Sequence, residues 1–499
     1  MTSNFIAIDL GAESGRLVRG TIENEHISLE ELHRFNTQGT EVRGHLYWNV
    51  LRFYEEILAG FRAGAAEIKA GTLKGIGVDT WGVDFAILDR DGNLSGLPYH
   101  YRDREMNEAF ASLFDVFTKE EIYEITGIQF LSLNTIVKLH ALVRGGHPCI
   151  QGPGKTLLMM PDYFNYLLTG EMASEYTEAS TSQLLNARTR SWHVPFIEEL
   201  GLDPAMFQPT AQPCNALGSL LPSIAGPVDA LKDVPVHLIG SHDTASAVAG
   251  TPLVTARSAY LSSGTWSLLG MELPGPVISN DALAKNFTNE GGVGDTIRFL
   301  KNIAGLWLLQ QSKAAWEERT GDALDYGTIV NEARKVGISG SIINPDDPRF
   351  FNPSNMLDEI RDACLETAQV PPRTIDEFAS IIFTSLALRY RQVIGELESL
   401  TGTSIDYLHV VGGGSKNTLL CQYTSSATNL PVCAGPDEAT SLGNIIAQAI
   451  SAGMIDDLAA GRRIIANSVI PVEFEPVNPE IWDKINTEKY IPYFIENKR

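Results

Sequence analysis

The chain has 499 residues, 44% of them hydrophobic and 20% charged, with 44 glycines. That is enough for two sizeable domains, and no apolar run reaches the roughly 18 residues of a membrane span. Lys and Arg total 38 against 61 Asp and Glu, a formal charge of −23, which excludes nucleic acid as a partner because phosphate backbones are bound by clustered cations. A polyanionic ligand gains nothing from such a field. It has to be met locally by backbone N–H groups, a few placed cations and a metal ion. The opening MTSNFIAIDLG has no basic segment and is interrupted by Asp9, so neither a signal peptide nor an anchor is expected. Five scattered cysteines show neither metal spacing nor a paired framework, which sets the expectation of a reducing, cytoplasmic compartment.

In chain order, the first element is a hairpin: FIAIDL, the turn GAESGR, then LVRGTI. Its glycines let the turn aim N–H groups at an anion, Ser14 adds a hydroxyl, and Arg16 adds a cation. Asp9, at the strand end, suits a magnesium ion held through water, although a plain turn whose Asp bonds its own loop fits the same residues. A helix is predicted at Trp48–Ala63. Next, GVDTWGVDFAIL places Asp79 and Asp84 on either side of Trp81 and Gly82. Carboxylates suit sugar hydroxyls and an aromatic face suits sugar C–H groups; a strand and turn with Trp81 in the core reads equally well. Arg102 and Asp103 are a solvated charge run unless the fold brings them in. GPGKT at 152–156 imitates a phosphate loop, but Cys149 stands where that motif needs its first glycine.

The stretch PVHLIGSHDTASAVAG runs from an apolar strand into Ser241, His242 and Asp243 and then a series of small residues. Asp243 there is a good helix N-cap, and it is also placed to be a general base at a domain junction; the two roles do not exclude each other. A second hairpin, SAYL–SSGTW–SLLGMEL, repeats the logic of the first with Ser262, Ser263, Gly264 and Thr265. Helices are predicted at Ile303–Glu318, Ile375–Leu397 and Thr440–Ala452. The second of these starts on a capping box of Thr374 and Glu377, just after Pro371 and Pro372. HVVGGGSKN sets Gly412, Gly413 and Gly414 behind a strand, for close approach to a flat or anionic ligand or as a flexible loop. The tail beyond Val469 is expected on the surface of the second half or back on the first. The recurring hairpin predicts an α/β duplication divided into 1–246 and 247–499, with no short-period repeat.

Taken together, DLGAESGR, GVDTWGVDF, TGIQFLSLNT, MPDYFNYLLTG, SHDTASAV, AYLSSGTWSL, TNEGG, KNIAGLWLLQ and VVGGGSKNTLL, in this order over nearly the whole length, resemble the FGGY carbohydrate kinases of the actin, sugar-kinase and heat-shock-chaperone superfamily. The resemblance implies two ribonuclease-H-like domains around a central cleft, 1–246 on the sugar side and 247–499 on the ATP side. By it, Asp243 is the proton acceptor, and His242 and Thr244 touch the sugar. Gly82 lines the sugar pocket with Trp81 and Asp84 beside it, and Asn302 contacts the substrate from across the cleft. Ala12, Glu13, Ser14, Gly15, Arg16, Thr265, Gln310, Gly412, Gly413 and Gly414 serve ATP, and Asp9 helps place Mg2+. Glu13 stands where many relatives have Ser or Thr, which leaves it a backbone role. His140 stands where many members outside the L-rhamnulose branch have Trp. The expected reaction is ATP-dependent phosphorylation of L-rhamnulose at its 1-hydroxyl, giving L-rhamnulose 1-phosphate and ADP. Another ketose such as L-fuculose, L-ribulose or L-xylulose fits the same residues. A sugar-independent, ATP-driven conformational protein is the alternative of another class. No nucleic-acid or membrane partner is expected, and the chain is expected to be a monomer or a small homo-oligomer.

Overall fold

A computed structural model describes residues 2–65, 68–226, 228–253 and 255–496. The chain divides into two compact units that are not contiguous segments: Met1–Pro252 with Glu272–Phe299 and Ala439–Val469, and Leu253–Met271 with Leu300–Glu438 and Ile470–Arg499.

In the first unit the predicted hairpin is Ser3–Leu10 paired antiparallel with Ser14–Glu23, and Asp9 lies opposite Arg16. Leu73–Thr80 runs parallel to the first strand, with Asp9 beside Asp79, and Pro235–Leu238 runs parallel to Leu73–Thr80 in turn. The sheet is completed by Asn215–Ser219 at one edge and His26–Asn36 at the other. Nearly every residue of the central strands is buried, as parallel strands covered on both faces require. One face is covered by the helix Val50–Gly64, which buries Phe53, Ile57 and Phe61. The other is covered by Ala439–Ser451, whose Ile445 and Ile446 join Phe5, Ala7 and Val18 in one apolar cluster.

The small residues after Asp243 have a packing reason. The helix Asp243–Ala249 lies directly against Ala439–Ser451. A Cβ at Gly443 would overlap the Ser246 carbonyl oxygen, and one at Gly250 would overlap that of Ala439.

The second unit repeats the pattern. Ser258–Ser263 and Trp266–Leu273 form an antiparallel hairpin, Tyr407–Val411 runs parallel to the first of these strands, and Val432–Ala434 is parallel to Tyr407–Val411. The buried helix Ile375–Thr401 begins where predicted: Glu377 Oε2 accepts from the amides of Arg373 at 2.6 Å and Thr374 at 3.4 Å. Its last residue is Thr401, four beyond the expected Leu397, and it is closed by Gly402 in the left-handed conformation. The tail belongs to this unit, where Val472–Phe474 adds a strand beside Val432–Ala434 and Trp482 and Tyr490 are buried. The helix expected at Ile303–Glu318 starts later, at Trp307, because Ile303 and Ala304 finish the strand Ile297–Ala304. Among the described residues no helix is long and apolar enough to cross a membrane.

Candidate active site

Three parallel strands of the first unit end on the same side, and the chemistry gathers there, at the carboxyl ends where α/β sheets bind ligands. Arg16 donates to Asp9 Oδ2 from Nε at 3.0 Å and from Nη2 at 2.8 Å. Asp79 has no exposed surface. Its Oδ2 accepts from Asn444 Nδ2 at 2.5 Å, and its Oδ1 has no hydrogen-bond partner. Burial, reinforced by the charge of Asp9, pushes the Asp79 carboxyl well above the ordinary range. The hairpin turn is braced from behind: Thr37 Oγ1 donates to Gly11 O at 2.5 Å, and the Thr37 amide to Glu13 O at 3.2 Å. Ala12 and Ser14 are partly exposed at this turn and Glu13 is exposed. Gly15 faces the Phe35 ring at a distance that leaves no room for a Cβ.

Asp243 opens its helix as the first helical residue; the N-cap position is His242, which makes no side-chain capping bond. The Asp243 carboxylate instead turns back, its Oδ1 accepting from the Thr244 amide at 2.5 Å and from Thr244 Oγ1 at 3.1 Å. It is recessed but reachable, with 32% of the side chain exposed. Burial raises its pKa, and the charge of Asp9 raises it further. The turn that presents it is fixed by main-chain bonds. The Thr80 amide donates to Ser241 O at 2.9 Å, the Ser241 amide to Glu175 Oε2 at 3.3 Å, and the His242 amide to Thr177 Oγ1 at 3.3 Å.

His242 is held on both sides. Its Nε2 is 3.4 Å from Asp243 Oδ1. Its Nδ1 is 3.1 Å from Arg298 Nη2 and 3.3 Å from Glu290 Oε2. Gly82 sits against the ring, since a Cβ there would lie 3.1 Å from His242 Nε2 and 3.3 Å from Thr181 Cγ2. Sequence reasoning missed Glu175, Thr177 and Arg298 altogether. Glu290 lay inside the quoted TNEGG, but a buried arginine in an apolar strand carries no local signal.

Trp81 and Asp84 do different work from that expected of them. Asp84 has no exposed surface. Its Oδ2 accepts from the indoles of Trp48 at 2.5 Å and Trp81 at 2.8 Å, and its Oδ1 pairs with the buried Lys138. Trp81 stacks on Trp48 with ring centroids 3.8 Å apart. Both side chains therefore support the Gly82 turn from within the core, with both oxygens of Asp84 engaged by protein donors. Arg102 and Asp103 lie outside this group of residues, Asp103 being buried as the N-cap of Arg104–Glu108. His140 meets Ser112 Oγ at 3.1 Å on another part of the unit.

In the second unit, Thr265, Gln310 and the three glycines converge. The amides of Leu306 and Trp307 donate to the carbonyls of Gly264 and Thr265 at 2.9 and 3.1 Å, which sets the start of the Gln310 helix against the hairpin turn. The glycine loop is not loose: it forms the tight turn Gly413–Lys416, and a Cβ at Gly414 would overlap Ser263 Oγ. Gln310 Oε1 is buried without a partner, an acceptor available to a ligand N–H or hydroxyl. Asn302 lies in the strand Ile297–Ala304 and is partly exposed.

Residues 4–250 match the N-terminal domain, and residues 259–452 the C-terminal domain, of the FGGY family of carbohydrate kinases. The chain belongs to this family and is an ATP-dependent sugar kinase of mixed α/β, two-domain fold. It is 42% identical over 483 residues to a rhamnulokinase of Bacteroides thetaiotaomicron, covering 97% of this chain and 98% of that protein. It is 43% identical to a rhamnulokinase of Pectobacterium atrosepticum, covering 93% and 91%. The fold matches a gluconate kinase structure from Lactobacillus acidophilus with a TM-score of 0.78 at 14% identity, covering 98% of each chain.

Proposed function

We propose that this chain phosphorylates L-rhamnulose at its 1-hydroxyl, with Asp243 as proton acceptor. The observation that carries the chemistry is Asp243 itself: a reachable carboxylate at the end of three parallel strands, its basicity raised by burial and its turn pinned through Thr80, Glu175 and Thr177. The choice of sugar rests on the relatives named rhamnulokinase.

The sugar is assigned to Gly82, His242, Thr244 and Asn302. ATP is assigned to Thr265, Gln310 and Gly412–Gly414, and its phosphates to the turn Ala12–Arg16. Asp243 takes the proton of the 1-hydroxyl. That oxygen forms a bond to the γ-phosphorus in line, the bond to the bridging oxygen breaks, and ADP leaves with its electron pair. Carboxylate oxygens suit Mg2+, which takes one or two of them and fills its shell with phosphate and water. Among the described residues no group of three or more His, Cys, Asp or Glu is placed to hold an ion. The protein's share would thus come from Asp9, with the orphaned Oδ1 of Asp79 behind it. When bound, the ion neutralises phosphate charge that the protein's own net charge of −23 opposes. Free cysteines at all five positions support a reducing, cytoplasmic setting.

The test is ADP release with ATP and Mg2+ over a panel of ketoses and a no-sugar control. L-rhamnulose is expected to be strongly preferred, and preference for another ketose overturns the choice of sugar. Asp243→Asn is expected to keep affinity for both ligands and lose roughly 10²–10⁴ in kcat. Unchanged kcat would remove Asp243 from the role.

A further inference from the structure

The imidazole of His242 has three available protonation states, and its neighbours select among them. The charged and titratable groups around it are Asp243 on its own helix, Glu290 on the strand Thr288–Gly291 and Arg298 on the strand Ile297–Ala304. Arg298 has no exposed surface. Its Nε donates to Gly291 O at 2.7 Å, and Nη2 lies in hydrogen-bond geometry 3.1 Å from His242 Nδ1. A guanidinium has donors and no acceptor, so this contact requires a lone pair on Nδ1 and places the ring proton on Nε2. Glu290 pulls the other way, because its Oε2 is 3.3 Å from Nδ1 and would favour a proton there. That oxygen, however, makes no hydrogen bond by geometry; it stands 3.2 Å from Arg298 Nη1 and offsets the buried cation. Burial works against the Glu290 carboxylate, but the Arg298 cation beside it keeps its pKa below the usual range.

We propose that Arg298 is a positioning residue that holds His242 as the neutral ring with its proton on Nε2, so that the ring faces Asp243 and the sugar as a hydrogen-bond donor. The inference rests on the reading of Asp243 as proton acceptor. It divides the labour of the site. A ring with its lone pair turned toward Arg298 cannot compete with Asp243 for the substrate proton. A ring that carried a second proton would set a full cation beside Asp243 and weaken it as a base. Buried partners that fix a functional histidine's tautomer are worth large factors in turnover.

The protonation of His242 is read directly from two-bond ¹H–¹⁵N correlations of full-length, ¹⁵N-histidine-labelled protein, with the signal assigned by its loss in His242→Gln. The Nε2–H form is expected in the wild type and in Glu290→Gln. An Nδ1–H ring or an imidazolium in the wild type, or a change of form in Glu290→Gln, overturns the proposal. Arg298→Met is expected to lose the Nε2–H preference and to lower kcat/KM for the sugar roughly 10- to 100-fold, with KM for ATP unchanged. Arg298→Lys, which keeps a donor, recovers part of the loss. A folded Arg298→Met with wild-type spectrum and turnover overturns the proposal. If that variant does not fold, the wild-type and Glu290→Gln spectra still decide it. Failure of the underlying reading is seen separately, as turnover retained in Asp243→Asn.

Discussion

Asp243 has to be ionised to accept a proton, and its surroundings make ionisation harder. Burial is the largest influence, and the charge of Asp9 adds to it. The sugar-dependent kcat/KM is therefore expected to fall on the acid side with a midpoint above the ordinary aspartate value of about 4; a midpoint at or below that value contradicts the buried setting. Glu175, behind the Ser241 amide, carries a second pH signal. Desolvation pushes its pKa up to about 7 from 4.5, so the folded protein binds this proton more tightly than the unfolded chain. The resulting stability is complete below the unfolded value and is lost as pH rises toward 7, on the order of 3 kcal/mol in all. Glu175→Gln keeps an acceptor for the Ser241 amide and removes the ionisation. Urea midpoints measured between pH 5 and 8 are expected to converge at the acid end, with the variant the more stable at the alkaline end. Parallel curves would show that Glu175 does not titrate in this range.

At the scale of elements, the two-helix contact under Asp243 has little slack. Adding a methyl at Gly443 drives it into the Ser246 carbonyl, so Gly443→Ala is expected to cost roughly 1–3 kcal/mol or more, read as a lowered urea midpoint; a shift near zero would mean that the helices separate freely. Elements with local signals were legible in the sequence. The hairpin turns were marked by glycine, and Ile375–Thr401 by Thr374 and Glu377. Where a strand and a helix meet in one apolar run, as in FLKNIAGLWLLQ, periodicity gave no boundary, and tight packing of Gly305 under the second hairpin turn decides it. Asp84 looked like a sugar ligand because the partners that consume it, Trp48 and Lys138, are far away in sequence. The hold of Arg298 on His242 was invisible for the same reason, since it joins residues 56 positions apart.

At the scale of the whole molecule, the excess of acid residues predicts how the enzyme meets its nucleotide. With a net charge of −23, the long-range field repels ATP, and added salt screens that repulsion. Association of ATP with Mg2+, followed by stopped flow, is expected to quicken as salt rises from about 0.01 M to about 0.15 M; a slowing would point to a local cationic patch that dominates the approach. The non-contiguous first unit has a different consequence. Ile445 and Ile446, which close the core around Phe5, Ala7 and Val18, come from the segment Ala439–Val469. At translation rates of about 5–20 residues per second, the first 252 residues leave the ribosome on the order of 10–40 s before the helix that covers their sheet. During that interval the nascent chain carries a bare apolar sheet face, and release at residue 252 is expected to yield a fragment that aggregates rather than a free-standing half enzyme.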